Sequence, residues 1–163
     1  MTIILAFIMM AVMIVADQLI KIWAVDSLTK VDTIPLLQGV LHFTYVENRG
    51  AAFGIMQGKV NILLIVTGIF LAVMLVAVLT KKIQGIFRIW SFSLVIAGGI
   101  GNLIDRAFRG FVVDYIDFRL INFPVFNLAD CCVCVGVFAI LLYEFIIEPA
   151  IEKKKGETES SEQ

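Results

Sequence analysis

Charge is what this chain has least of. Of its 163 residues only 17% are Asp, Glu, Lys or Arg, while 60% are hydrophobic; ordinary soluble domains carry about 25% charged and about 45–50% apolar residues. Mean hydropathy is +0.97. A chain this short has too much surface to hide that much apolar side chain, which excludes a soluble globular domain. The same apolar content excludes disorder over most of the length. A formal net charge of −1 leaves no basic field for nucleic acid. One His and three Cys make neither a zinc cage nor a disulfide framework. A Ser–His–Asp arrangement is missing too, since His42 is alone and falls in a β-like segment of the chain, where it reads as a surface or platform residue. No phosphate-cradling loop appears: Gly98-Gly99-Ile100-Gly101 has the wrong spacing and ends a helix rather than opening one. What remains is a small integral membrane protein.

A helix needs about 20 apolar residues to cross about 30 Å of hydrocarbon. Four stretches qualify, at 2–20, 60–79, 86–104 and 126–147, and none shows the strict alternation of a membrane barrel strand. The first run has no Lys or Arg ahead of it and no small-x-small cleavage site before Asp17, so it is expected to be a retained span. The expected fold class is an all-α membrane protein with one membrane domain over 1–150. A charged tail at 151–163 is expected to be disordered. Residues 24–58, between the first two spans, are expected to form a small β-cradle on the outer membrane surface. Residues 40–46 (VLHFTYV) alternate and are rich in β-branched and aromatic types. Pro35 and Gly39 punctuate the stretch before them, and Trp23 suits an interfacial anchor.

With the N-terminus inside, Lys81, Lys82, Arg88, Lys153, Lys154 and Lys155 fall on the cytoplasmic side, packed into one short loop and the tail. Lys21, Lys30, Arg49, Lys59, Arg106, Arg109 and Arg119 fall outside, spread over longer connections and mixed with acids. The positive-inside rule weighs short loops most, so both termini are expected in the cytoplasm.

That topology gathers most of the polar residues at the outer ends of the spans. Asp17, Gln18 and Lys21 end the first, and Glu47, Asn48, Arg49 and Lys59 precede the second. Asn102, Asp105 and Arg106 end the third, and Asn127 and Asp130 start the fourth after a loop with Asp114 and Asp117. Asp130 is expected to lie about 6 Å inside its helix, four residues past Phe126, with Asp17 at a similar depth in the first span. Ionisable groups at membrane depth are costly and usually face a bundle interior or a watery cavity. Taken singly, each has a structural explanation: Asp17 and Lys21 are spaced to pair, Asn127 to cap a helix, and Asp117 to be a solvated loop charge. Cys131, Cys132 and Cys134 read as small core residues, and the glycines as points of close helix approach. Residues 50–54 (GAAFG) match GxxxG ahead of the second span. Taken together, the polar set reads as a functional site. The chemistry open to it without metal or cofactor is a carboxylate pair, one ionised to take a proton from water and one protonated to polarise a carbonyl. Asp105, Asp114, Asp117 and Asp130 compete for the two places.

Five segments, in order, carry a family resemblance: DQLIK (17–21), ENRGAAFG (47–54), GGIGNLIDR (98–106), VVDYIDF (112–118) and FNLAD (126–130). On them the chain resembles the type II, or lipoprotein, signal peptidases. The resemblance implies a four-helix bacterial inner-membrane aspartic endopeptidase with an external β-cradle and its site toward the outer face. It implies cleavage of prolipoprotein signal peptides just before a diacylglyceryl-modified Cys, without cofactor or metal. The aspartates in its motifs are Asp114 and Asp130. Asn48, Asn102, Asp105, Arg106 and Asn127 fall where substrate, or a cyclic-peptide inhibitor of the globomycin type, is contacted. Asp17, Lys21, Gly50, Gly99, Gly101 and Ala129 occupy supporting positions, and membrane lipid borders the site. Cys131 and Cys132 depart from the Ser, Thr or Ala more usual after FNLAD.

Overall fold

The computed structural model describes residues 1–31, 33–51 and 55–153. Among the described residues four helices are long and apolar enough to cross a membrane: α1 (Thr2–Leu28), α2 (Val60–Leu79), α3 (Ile86–Phe108) and α4 (Leu128–Leu142), which continues through a π-helical turn at Tyr143–Ile147 to Lys153. Ile4, Ile8, Val12, Val15, Leu19 and Ile22 form an exposed row along α1. Their spacing of three and four residues is that of one helix face, here the face turned to lipid. Met10, Met74, Val78, Val95, Ile96 and Ala97 fill the interior between α1, α2 and α3.

The first helix does not stop at residue 20. It continues to Leu28 because its last turns are buried: Ala24 and Leu28 pack with Val113 and Tyr115 beneath a three-stranded antiparallel sheet. Trp23 meets Phe43 edge-on at 5.3 Å. Residues 24–28 therefore leave the expected cradle, and the strands are β1 (Ile34–Leu37), β2 (Leu41–Asn48) and β3 (Val112–Phe118), in spatial order β1-β2-β3. The third strand comes from the connection after α3, not from the one between α1 and α2. Pro35, taken as punctuation, lies in edge strand β1, where a missing N–H is tolerated. Of the expected tail, 151–153 continue the helix, whereas 154–163, with Lys154 and Lys155, lie outside the described residues. So does Gly54 of the GxxxG match.

The GGIG run explains how three helices approach α3 closely. A Cβ on Gly98 would stand 2.2 Å from the Ala129 carbonyl oxygen of α4; one on Gly99 would stand 2.5 Å from Leu71 of α2; one on Gly101 would stand 2.5 Å from Asp17 of α1. Each glycine faces a different helix, so α3 is the axis on which the others converge. At the end of α3 away from the sheet, Arg88 donates to Glu144 at 2.7 and 3.0 Å and also pairs with Glu148. Its guanidinium lies over the Tyr143 ring.

Candidate active site

Strand β3 and the first turn of α4, both at the sheet end, present the central carboxylates. β3 is paired to β2 with Val46 opposite Asp114 and Asn48 opposite Val112. The Asn48 side chain reaches across, and its Nδ2 donates to Asp114 Oδ2 at 3.0 Å. α4 opens with Asn127 as its N-cap: Asn127 Oδ1 accepts from the Asp130 N–H at 2.9 Å, and Asp130 Oδ2 accepts from the Asn127 N–H at 3.2 Å. This reciprocal capping box satisfies backbone donors that the first turn would leave unpaired. It sets Asp130 in that first turn, where the helix N-terminus favours a carboxylate. The expected depths are corrected accordingly. α4 starts at Leu128, so Asp130 is closer to the helix end than 6 Å implies. α1 runs eleven residues past Asp17, which puts it about 16 Å from its helix end.

Three asparagines join the acids. Asn127 Nδ2 donates to Asp114 Oδ1 at 2.6 Å and to Asn102 Oδ1 at 3.2 Å. Asn102 Nδ2 donates to Asp130 Oδ1 at 2.8 Å. Asn127 and Asp114 are almost fully buried. Burial, and after it the charge of Asp130, push the Asp114 carboxyl up to about 7, against the pull of Asn48, Asn127 and Lys21.

Beneath them lies an ionic group with essentially no exposure. Lys21 Nζ contacts Asp17 Oδ2 at 2.9 Å, Asp105 Oδ2 at 3.2 Å and Asn102 Oδ1 at 2.9 Å. Asp17 Oδ1 accepts from the Ala129 N–H at 3.0 Å and Asp105 Oδ2 from the Val113 N–H at 2.9 Å. Asp105 is thereby tied to Lys21 and β3, below the acids rather than beside them.

Above the acids is a cavity of about 670 Å³, lined by Asn48, Asn102, Asp114 and Asp130 with Arg106 and Glu47. That volume falls in the range of small-ligand sites. Arg106 donates to the Gly50 carbonyl at 3.0 Å, and the Gly50 N–H donates to Asn48 Oδ1 at 2.9 Å, so the turn after β2 is fastened at the rim. Gly99 lies away from the cavity against α2, and Gly101 touches the ionic group.

Two sequence readings change. Asp117 is a strand residue that accepts from Thr44 at 2.7 Å and pairs with Arg119 at 2.7 Å; these contacts outweigh its burial and lower its carboxyl. His42 is in the platform but buried, its ring accepting from the Gly39 N–H at 3.1 Å. The sequence also left parts of the site unassigned. Phe123, Pro124 and Phe126 give the cavity an apolar wall joined by Cys131 and Cys134, while Cys132 is buried. Tyr115 Oη accepts from the Leu128 N–H at 3.1 Å at the start of α4. The signal available was an apolar run inside a polar-flanked loop. Among the described residues no three His, Cys, Asp or Glu are grouped as metal ligands.

Comparison with known proteins places the chain. Residues 9–146 match the family model described as Signal peptidase (SPase) II. The lipoprotein signal peptidase of Clostridioides difficile (strain 630) is 47% identical over 132 residues, covering 81% of this chain and 88% of that one. The lipoprotein signal peptidase of Halothermothrix orenii is 38% identical over 139 residues, covering 85% and 94%. Two solved structures of a bacterial membrane enzyme are 31% identical, with TM-scores of 0.77 and 0.76; they cover 84% and 86% of this chain and 85% and 92% of theirs. A family model spanning most of the length, relatives of this identity and a shared fold agree: the chain belongs to the signal peptidase II family of membrane proteases.

Proposed function

We propose that this protease removes signal peptides from prolipoproteins, cutting on the N-terminal side of a diacylglyceryl-modified Cys, with Asp114 and Asp130 as its catalytic pair. The observation that carries the reading is the sharing of one asparagine, Asn127, by two carboxylates that line one cavity. In this mechanism Asp130, held at a helix N-terminus, is the ionised partner and takes a proton from a water as that oxygen attacks the scissile carbonyl carbon. Asp114 carries the proton that passes to the carbonyl oxygen; its carboxyl, raised to about 7, supports that role. As the tetrahedral species collapses and the C–N bond breaks, Asp130 passes the proton it took from water to the leaving amine and the former carbonyl oxygen returns its proton to Asp114, which leaves the signal-peptide carboxyl group and a free N-terminus on the modified Cys and restores the pair.

The polar rim of Asn48 and Arg106 suits backbone carbonyls of the substrate, since both present N–H donors. The apolar wall of Phe123, Pro124 and Phe126 suits acyl chains of the substrate or of membrane lipid, and cyclic peptides of the globomycin type would compete for the same space. We place the site at the outer face of a bacterial cytoplasmic membrane with both termini inside, because Lys81, Lys82, Arg88 and Lys153 sit at the ends of the bundle away from the sheet. The whole of 1–150 acts as one membrane domain in this reading.

The test uses purified protein in detergent with a diacylglyceryl-modified precursor peptide and its unlipidated counterpart. Cleavage of the lipidated peptide alone is expected, and it should disappear in Asp114→Asn and Asp130→Asn proteins that remain folded. Full activity in either variant would overturn the assignment of the pair.

A further inference from the structure

Beneath the asparagines that join the two acids, Lys21 connects both halves of the site a second time. An ammonium has three donors and no acceptor; here all three have partners, Asp17, Asp105 and Asn102, and none is left for solvent because Lys21 is fully buried. Each partner bonds onward into the site. Asp17 holds the N–H of Ala129, the residue before Asp130; Asp105 holds the N–H of Val113, the residue before Asp114; Asn102 donates to Asp130 itself. Drying an ammonium and two carboxylates costs several kcal/mol per ion, and such a group is poor evidence of stability alone. Its position, with partners that hold the backbone just before each acid and the side chain of Asp130, points to the reaction.

The direction of the Asn102 amide is the chemical link. An amide can face Asp130 with its oxygen or its nitrogen, and a carbonyl facing a carboxylate is repulsive. Lys21 can only donate, and it makes the shorter and charged of two bonds to the Asn102 oxygen, 2.9 Å against 3.2 Å from Asn127 Nδ2, so that oxygen turns to them and the N–H to Asp130. We propose that Lys21 is a positioning residue for catalysis, its ammonium fixing the Asn102 amide so that an N–H faces Asp130 and keeps that carboxylate in its ionised, water-activating form. The proposal rests on the roles given to Asp114 and Asp130 above. The other charged or titratable groups that bear on Asp130 are Asp17 from α1, Arg106 from α3, Asp114 and Tyr115 from β3, and Cys131 and Cys132 on its own helix. Glu47 of β2 lines the same cavity. Asp105, paired with Lys21 and with Arg109 at 3.4 Å, completes the set below.

The experiment compares wild type, Lys21→Met and the double variant Lys21→Met/Asp17→Asn, which removes one charge of each sign. Rates are measured across pH on the lipidated precursor peptide and divided by the folded fraction. In both variants kcat is expected to fall by about tenfold or more and the acid limb of the rate profile to move up by about one pH unit. KM is expected to stay within about threefold, because Lys21 does not reach the cavity where substrate binds. An unchanged kcat and acid limb in the folded protein would overturn the proposal, and so would failure of both variants to fold, since the role would then be structural. Asp114→Asn and Asp130→Asn are run alongside. If those remain active, the catalytic pair is wrong; if they are dead and the Lys21 variants match wild type, only the role of Lys21 fails.

Discussion

The backbone of Gly101 lies directly against the carboxylate of Asp17, so close that a Cβ there would stand 2.5 Å from Asp17 Oδ2 and 3.2 Å from the Ala129 Cβ. Substitution of Gly101 by Ala is therefore expected to displace Asp17 from the Ala129 N–H, with a stability cost of about 1–3 kcal/mol and a marked loss of kcat. Gly98→Ala should be worse, because the obstacle is a backbone oxygen at 2.2 Å that cannot rotate away. Gly68→Ala, with open space around it, is the control and should leave stability equal or higher by up to about 1 kcal/mol. Thermal midpoints in detergent and rates per folded enzyme order the three.

Stability should depend on pH through Asp114. Its carboxyl is raised in the fold to about 7 by burial and by Asp130, whereas an Asp in an unfolded chain titrates at about 3.9. The folded state then holds a proton that the unfolded chain releases. The contribution is full below about pH 4 and is lost as pH rises toward about 7, at no more than about 1.4 kcal/mol per pH unit. Thermal midpoints should fall across that window in wild type and stay flatter in Asp114→Asn; an equal slope in both would exclude Asp114 as the source.

Arg106 offers a planar fork of donors that Lys cannot copy. With one arm on the Gly50 carbonyl at 3.0 Å it both fastens the rim and faces the cavity. Arg106→Lys is expected to raise KM for the lipidated peptide by about tenfold, equivalent to about 1.4 kcal/mol, with a smaller change in kcat. A change confined to kcat would move Arg106 from substrate holding to the chemical step.

The Arg88–Glu144–Glu148 cluster ties α3 to α4 at the end remote from the site. Arg88→Met leaves two neighbouring glutamates without their shared cation, so the thermal midpoint should drop while kcat and KM stay at wild-type values. Loss of activity in folded Arg88→Met would show that the two ends of the bundle are coupled.

The spans were legible because each is a long apolar run, and hydrocarbon leaves few alternatives to a helix. Their ends were not. Asp17 and Lys21 read as the exit from the membrane, but they neutralise each other against Asp105 and Asn102, which lets α1 run on to Leu28. β3 was visible only as a motif, because its partner β2 lies more than sixty residues earlier, as in the pairing of Val46 with Asp114. Ordered family motifs singled out Asp114, Asp130 and their asparagines, which the fold brings together, whereas composition alone left four aspartates in competition. Asp117 could not be separated from Asp114 by spacing; Arg119, two positions on, and Thr44, 73 positions earlier, occupy it, and the second of these contacts has no linear signal.

The bond from the Ala129 N–H to Asp17 spans 112 positions of the chain, and it has a consequence for biogenesis. α1 precedes α3 and α4 in the chain, so its Asp17 and Lys21 meet Asn102, Asp105 and the Ala129 N–H only when those later helices are in place. The ionic group is thus begun by an early span and closed only by later ones, so Asp114 and Asp130 can be fixed in place only once α1, α3 and α4 are together.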